Sequence, residues 1–351
     1  MGQGRRTAAH AGSDEAGTSV LAPTDGVVAE LPVPAGGQVQ TGAVLAVVNP
    51  EEDPDDLRSH PEQDQLRDAV RALGRRYGHG YFVEKAKAGE HTTELWADAG
   101  RLGYLGSTSP PSTAVGAGHH RVGDRLRGVG RGRLPVAAAG GLPAIAATVL
   151  TRHGTEEQRK RHLPGLADGS QKIVFAITEP EAGSNFHRLG TVARRDGDGW
   201  LLNGRKCYIS GVDEADHVLV VARTEDSSTG KLKPALFLVP TDAAGLTRSK
   251  LDMEIVSPEN QFLLYLDDVR VPADALLGES LETGLPALFA GLNPERITVA
   301  AMGAGTGRYA IERASEYTAT RKVWGGRSIG SHQGCRIRWR TQRCRWSWPD
   351  S

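Results

Sequence analysis

From Ile173 to Val271 the apolar residues follow a β pattern, whereas on both sides they recur at three- and four-residue intervals. A period of two is typical of strands with one buried face, and a period near 3.6 is typical of helices. We therefore predict helices, then a β domain, then helices. The 351 residues are enough for two or three domains.

The β region divides into short strands. One strand is predicted from Ile173 to Ile177, and a hairpin from Val192 to Ile209 turns at Asp196-Gly197-Asp198-Gly199. Further strands are predicted at 217–222, 235–239 and 262–271.

The flanking regions carry helical spacing. Thr155, followed by two glutamates, is predicted to cap a helix N-terminus. The apolar residues that define the helical faces are Leu66, Val70 and Leu73, then Leu95, Trp96, Ala99 and Leu102, and finally Leu285, Leu288, Phe289 and Leu292.

The N-terminal region has its own pattern. Residues 1–17 are predicted to be disordered, 18–49 to form short strands between glycine-containing turns, and 50–62 to be a polar linker. The 18–49 segment resembles the second half of a biotinyl or lipoyl carrier domain. That resemblance places the acceptor lysine just before the segment, but residues 13–17 (SDEAG) contain none, which argues against a carrier function.

Composition excludes several classes of protein. No run of about 18 apolar residues exists, so we expect no membrane span, and the N-terminus has no apolar stretch of the secretory type. Three cysteines give neither a disulfide framework nor metal-ligand spacing. We expect a cytoplasmic protein without a metal and without a nucleic-acid partner.

Two arginine-rich segments interrupt a chain whose net charge is zero. Residues 107–140 and 335–351 each hold five Arg and one Asp, and the second also holds three of the six Trp. One interpretation of the tail is a surface for membranes or nucleic acid. We favour shifted reading frames in both segments, a hypothesis that the coding DNA would decide.

The stretch from Phe175 to Asn185, FAITEPEAGSN, ends a predicted strand in hydroxyl and glycine residues. Such an ending leaves hydroxyls and backbone N–H groups free to hold a ring and a pyrophosphate. The stretch is similar to the first signature of the acyl-CoA dehydrogenases. The resemblance implies that Phe175, Ile177 and Thr178 contact a flavin and that Ser184 lies near phosphate and substrate. Asn185 departs from the family's usual Asp.

Leu202 to Ser210, LNGRKCYIS, resembles the family pattern LNGxKxWIT. The resemblance implies that Tyr208, in place of the usual Trp, packs against the flavin and that the Ser210 hydroxyl contacts its ring. A hairpin with one core aromatic is the simpler alternative. Residues 266–278 resemble the end of the same β domain.

Gly291 to Ile297, GLNPERI, places a proline after Asn293, which suits a helix start or a kinked continuation. Some family members, of the isovaleryl and long-chain types, carry their catalytic base here, so the resemblance implies Glu295 as the base. Arg296 is assigned to the substrate, with a role in the fold or an interface as its alternative. The alternative for Glu295 is a solvated first-turn glutamate.

Thr320 to Gln333, TRKVWGGRSIGSHQ, is similar to the family pattern RKxFGxPIGxxQ. In the family, the arginine and the aromatic residue reach the flavin dinucleotide of a neighbouring subunit, which implies that role for Arg321 and Trp324. A guanidinium suits a pyrophosphate because it donates paired, charge-assisted hydrogen bonds. A surface arginine beside a buried tryptophan is the alternative.

Together these motifs imply an α+β multidomain fold. It comprises a helical N-terminal domain over 63–172, an antiparallel β-barrel-like domain over 173–280, and the start of a truncated helical C-terminal domain over 281–334. The resemblance implies FAD, an acyl-CoA substrate, electron-transfer flavoprotein as acceptor, and a homodimer or homotetramer. Acyl-CoA oxidases and flavin monooxygenases share the fold, and an inactive remnant remains the alternative function.

Overall fold

The computed structural model describes residues 8–11, 18–21, 26–30, 47–50, 61–105, 141–226, 229–278 and 280–335. The chain divides into two compact units, one formed by residues 1–59 and 349–351 and the other by residues 60–348. The predicted linker at 50–62 contains this boundary. The arginine-rich segments 107–140 and 336–351 lie outside the described residues, as does most of the linker.

The first unit contains two small antiparallel sheets. Strands β1 (Ala8–Ala11) and β2 (Thr18–Leu21) pair in one, and β3 (Gly26–Glu30) and β4 (Val47–Pro50) pair in the other. Three of these strands agree with the strand pattern predicted for 18–49. The prediction of disorder for 1–17 is wrong at Ala8–Ala11, because this segment finds β2 as a hydrogen-bonding partner.

Two helices begin the second unit. Helix α1 spans Pro61–Ala88 and is broken at Gly78, whose φ of 71° is outside the helical region. Helix α2 spans Thr93–Arg101. As predicted, apolar side chains at helical spacing meet between them, in a core cluster of Leu73, Phe82, Leu95, Trp96 and Ala99.

Helices α3 (Gly141–His153) and α4 (Glu156–Asp168) follow. Thr155 caps α4 as predicted: its side chain accepts a hydrogen bond from Gln158 N, and the Gln158 side chain accepts one from Thr155 N. Gly169 ends α4 in the left-handed conformation, with φ of 83°.

A curled seven-stranded sheet forms the middle of the second unit, in the order β10-β11-β7-β6-β8-β5 with β9 paired to β8. The prediction of an antiparallel sheet is wrong in part, because β5 pairs with β8 in parallel and β6 meets β8 in parallel at one position. The strands are β5 (Ile173–Ala176), β6 (Val192–Asp196), β7 (Gly199–Ser210), β8 (His217–Glu225), β9 (Leu232–Pro240), β10 (Leu246–Leu251) and β11 (Gln261–Val271).

The two faces of this sheet bury different cores. Trp200, Phe237 and Leu264 belong to a cluster on one face, inside the curl. On the other face, strand residues such as Phe175 and Leu219 pack with Leu150 and neighbouring side chains of the helices. Because β5 and β8 are covered on both faces, all four residues of β5 and six of the nine residues of β8 are buried. Strand β10, mostly exposed and polar, was not predicted.

Helix α5 spans Gly284–Thr320 without interruption, so Pro294 lies inside a continuous helix and not at a helix start. The helix packs on α3 and β9. Gly291 permits the contact with α3, because a Cβ there would lie 2.8 Å from Val149 Cγ2 and 2.9 Å from Ile145 Cγ2. Across the described residues, no helix has the length and apolar character needed to cross a membrane.

Candidate functional site

The end of β5 and the middle of β7 are held side by side. Cys207 N donates a 2.9 Å hydrogen bond to Thr178 O, and Lys206 Nζ donates a 3.1 Å hydrogen bond to Ile177 O. The structure therefore brings together Ile177, Thr178 and Tyr208, which the sequence motifs place 30 residues apart.

Tyr208 is presented to solvent by an irregularity in β7. Ile209 pairs with Phe262 and Lys206 with Leu264, so two residues of β7, Cys207 and Tyr208, oppose one residue of β11, and Tyr208 has φ of 57°. A bulge of this kind redirects one side chain out of the strand alternation. The Tyr208 side chain is 62% exposed although Cys207 and Ile209 on either side are buried. An open aromatic face results beside the end of β5.

Three hydroxyl residues of the predicted site follow or end these strands: Thr178 and Ser184 come after β5, and Ser210 is the last residue of β7. Within the described part of the chain, the hydroxyls of Thr178 and Ser184 have no hydrogen-bond partner, and Ser184 is exposed. Ser210 Oγ lies 2.9 Å from Gln261 Oε1 and 2.7 Å from Gln261 Nε2. Gln261, which sequence reasoning missed, thereby orients the predicted ring-contacting hydroxyl.

Phe175 does not present its side chain at this site. The ring is 7% exposed and belongs to the core between the sheet and the helices. The sequence motif could not show this, because both faces of β5 are buried and its side chains are divided between two cores. Any cofactor contact of Phe175 is thus left to its backbone.

A buried charge pair lies directly under the site. Lys206 is 0% exposed and Glu179 is 6% exposed, and Lys206 Nζ lies 2.7 Å from Glu179 Oε1. Burial lowers the pKa of Lys206 to about 8, against the opposing pull of Glu179. Burial also opposes ionisation of Glu179, but the charge of Lys206 and hydrogen bonds from Lys206, Thr191 and Gly190 bring its pKa below the ordinary value. Sequence reasoning missed both residues, although a lysine at a core position of a strand is a signal.

Glu295 lies on the inward side of α5. Gly291 and Thr298, one turn before and after it, are both buried, and Glu295 itself is half-buried. Burial raises the pKa of the Glu295 carboxyl, while the neighbouring Arg296 acts in the opposite direction. The carboxylate has no hydrogen bond or ion pair within the described residues. The solvated first-turn alternative is wrong, because α5 begins 11 residues earlier.

Two residues of α5 that precede Glu295 connect this helix to the segment after β5. Leu292, one turn before Glu295, packs on the same core cluster as Ile177 and Phe186. Phe186 in turn meets Phe289 of α5 edge-on, with 5.8 Å between ring centroids. Arg296 is exposed, and its Nη1 lies 3.3 Å from Asn293 Oδ1.

Arg321 and Trp324 are not brought to this site within one chain. Arg321 follows the last residue of α5, 26 residues beyond Glu295, which corresponds to about 39 Å of helix. Arg321 is exposed, and the Trp324 side chain is 99% exposed, so the alternative of a buried tryptophan is wrong.

The second unit thus consists of a curled sheet with helical segments before and after it in the chain, and an exposed tyrosine lies beside the end of β5. Family models for the acyl-CoA dehydrogenase N-terminal, middle and C-terminal domains match residues 60–170, 174–268 and 282–347. The chain belongs to the acyl-CoA dehydrogenase family of FAD-dependent oxidoreductases. The matches begin at residue 60 and give no support to the carrier-domain resemblance of 18–49.

Two curated relatives and one solved structure illustrate the similarity. The acyl-CoA dehydrogenase FadE12 of Mycobacterium tuberculosis H37Rv is 50% identical over 78% of this chain and 70% of its own length. The probable acyl-CoA dehydrogenase YngJ of Bacillus subtilis is 32% identical over 79% of this chain and 73% of its own. A glutaryl-CoA dehydrogenase from Mycobacterium smegmatis in complex with FADH2 superposes with a TM-score of 0.70, at 28% identity, over 82% of this chain and 73% of its own.

Proposed function

We propose that this chain catalyses FAD-dependent α,β-dehydrogenation of an acyl-CoA thioester, with Glu295 as the base. The observation that carries the assignment is a half-buried carboxylate on α5 that has no hydrogen bond or ion pair among the described residues, one helical turn from a side chain that packs on the same core cluster as Ile177. A carboxylate kept from water is a stronger proton acceptor than an exposed one.

The residues present fit FAD. Tyr208 offers an open aromatic face, and the Thr178 hydroxyl beside it has no partner within the described residues. We assign Ile177, Thr178, Tyr208 and Ser210 to the flavin ring, together with the backbone of Phe175. Ser184, exposed on the following loop, is assigned to phosphate and to substrate.

The cofactor and the residues of the chain have separate roles in the proposed reaction. FAD, when bound, would supply the group that accepts the hydride from the β carbon of the substrate. Glu295 takes the α proton, and burial of its carboxyl keeps that proton away from bulk water. The loop and helix that hold the substrate orient the two C–H bonds and exclude solvent. Arg296 is assigned to the substrate because it is the charged group next to Glu295.

A second copy of the chain completes the cofactor site in this proposal. Arg321 and Trp324 are exposed and lie beyond the C-terminal end of α5, far from Glu295 along the same chain. A guanidinium and an open indole are suited to the pyrophosphate and ring system of a dinucleotide bound by a neighbour. We therefore propose a homodimer or homotetramer, with electron-transfer flavoprotein as the electron acceptor.

Substitution of Glu295 by Gln tests the base directly. The amide keeps the shape of the side chain but accepts no proton, so we expect flavin reduction by acyl-CoA to slow by roughly 10²–10⁴-fold. The measurement is anaerobic bleaching of bound flavin by butyryl-, octanoyl- and palmitoyl-CoA. Wild-type reduction should also slow on acidification at a higher pH than an ordinary carboxyl would give.

Glu312→Gln, an exposed position on the same helix, is the matched control and should leave the rate unchanged. Equal rates in Glu295→Gln and wild type would contradict the assignment of the base. A purified wild-type protein that binds no FAD would contradict the proposed function as a whole.

A further inference from the structure

The Glu179–Lys206 pair has no part in the proton or hydride transfer, yet it is the most deeply buried ion pair among the described residues. The exposed fractions of the two side chains are 6% and 0%. Removing two charges from water costs several kcal/mol per ion, and mutual attraction does not reliably recover that cost. Stability alone is therefore a poor reason for this pair.

Lys206 is bonded to both neighbours of Thr178, to the backbone of Ile177 and to the side chain of Glu179. Its Nζ donates to Ile177 O at 3.1 Å and to Glu179 Oε1 at 2.7 Å. The carbonyl of Thr178 itself accepts from Cys207 N at 2.9 Å. Three consecutive residues at the end of β5 are thus fixed to two consecutive residues of β7, immediately before Tyr208.

Glu179 joins the two ends of the loop that carries Ser184. Its Oε2 accepts a 2.5 Å hydrogen bond from Gly190 N, and its Oε1 accepts a 3.0 Å hydrogen bond from Thr191 N. The backbone of Glu179 exchanges two further hydrogen bonds with Ala182, at 3.0 and 3.1 Å. One carboxylate therefore joins the start of the loop to its end and to the ammonium of Lys206.

These bonds converge on the residues that we assign to FAD. An apolar pair of similar volume would fill the same space, but it would not supply directional bonds to Ile177 O, Gly190 N and Thr191 N. We infer that the Glu179–Lys206 pair is a positioning device, which fixes Thr178, Tyr208 and the Ser184 loop in the geometry that receives the flavin. The inference rests on the proposed function, because it takes these residues as the cofactor site.

Two variants separate positioning from stability. Glu179→Gln keeps the shape and leaves Lys206 without its counter-charge. The double variant Glu179→Met with Lys206→Met replaces the pair by apolar side chains, a change that is often neutral for stability. Lys172→Met is the matched control, since Lys172 forms a 2.5 Å ion pair with Glu214 in the same unit but outside the cofactor site.

The measurements use the full chain: the Kd for FAD by fluorescence titration, the visible circular dichroism of flavin at saturating FAD, and thermal unfolding without FAD. We expect the double variant to remain folded, to bind FAD about tenfold or more weakly, and to show altered visible circular dichroism. The control should show wild-type flavin parameters whatever its thermal stability.

Wild-type Kd and visible circular dichroism in either folded variant would overturn the inference. Loss of the fold in both variants would also overturn it, because the pair would then serve the whole structure and not the site. These outcomes are distinct from failure of the proposed function, in which the wild-type protein itself would show no FAD binding.

Discussion

Among the residues that the structure describes, two non-glycine residues have positive φ, Tyr208 at 57° and Asp268 at 50°, and both lie at bulges between β7 and β11. Asp268 is supported locally, because its side chain accepts from Asn203 Nδ2 at 2.9 Å and its backbone N donates to Asn203 Oδ1 at 3.0 Å. Tyr208 has no such support among the described residues. Strain that nothing local offsets is a feature of functional positions.

Replacing Tyr208 by Gly should therefore separate stability from binding. Glycine adopts this backbone conformation without strain, so we expect the free energy of unfolding without FAD to be unchanged or to rise by about 1 kcal/mol. FAD binding should weaken about tenfold because the stacking face is lost. Urea denaturation and FAD titration measure the two quantities, and Tyr208→Phe should retain binding. If the Tyr208→Gly protein bound FAD normally, the Tyr208 ring would not be a contact of the cofactor.

The environment of Glu259 opposes the ionisation of its carboxyl group. Burial and the nearby carboxylates of Glu214 and Asp213 raise its pKa to about 7. The folded protein therefore binds a proton more tightly at this position than the unfolded chain does. The free energy of unfolding should fall as the pH rises from about 4.5 through 7. Above that range Glu259 is ionised in the folded protein, and the whole loss of stability is present.

Glu259→Gln should stabilise the protein at pH 8, by on the order of 2 kcal/mol, and have little effect at pH 4.5. Thermal or denaturant unfolding at the two pH values is the measurement. Glu157→Gln, an exposed position on α4, is the control and should show no such difference. The same change in stability at both pH values would refute the charge argument.

At the scale of elements, one side chain joins α4 to the end of the sheet. Gln158 Nε2 donates to Asp274 O at 2.8 Å and Leu276 O at 2.7 Å, and its Oε1 accepts from Gly278 N at 3.1 Å as well as from Thr155 N. All four hydrogen-bonding positions of this buried amide are used. The helix cap is thus also a contact with the segment that precedes α5.

Gln158→Ala should consequently destabilise the protein more than Thr155→Ala. Loss of the cap at Thr155 costs about 1 kcal/mol. Loss of the Gln158 amide also leaves buried carbonyl and N–H groups without partners, so we expect about 2–4 kcal/mol. Denaturant unfolding of the two variants, with Thr155→Ser as a control that keeps the cap, measures the difference. Equal losses would show that the contacts to 274–278 contribute nothing.

At the scale of the whole molecule, every residue assigned to the site belongs to the unit formed by residues 60–348. That unit has its own cores, between α1 and α2, inside the curled sheet, and between the sheet and the helices. A unit that buries its own apolar surface meets the physical requirement for independent folding.

A chain beginning at His60 should therefore bind FAD with the same Kd as the full chain. Its far-ultraviolet circular dichroism should lose only the small contribution of residues 1–59. FAD titration of the two proteins side by side is the measurement. A shortened protein that is soluble and folded but binds FAD more weakly would assign the first unit a part in the cofactor site.

The sequence alone determined the family and the order of helices, sheet and helices in the second unit. The strands β6, β7, β8 and β9, the helical spacing in α1, α2 and α5, and the cap at Thr155 were predicted from local patterns, and the structure confirms them. Such patterns are readable because the period of buried side chains follows directly from backbone geometry. The motif residues were found in the same way, one segment at a time.

Tertiary structure alone decided what those segments do to one another. It set β5 parallel to β8, turned Phe175 into the core, and raised the pKa of Glu295 by burial. It also joined Glu179 to Lys206, 27 residues apart in the sequence. These features depend on contacts between distant segments and on the removal of water from them, and neither is encoded in the spacing of residues along the chain.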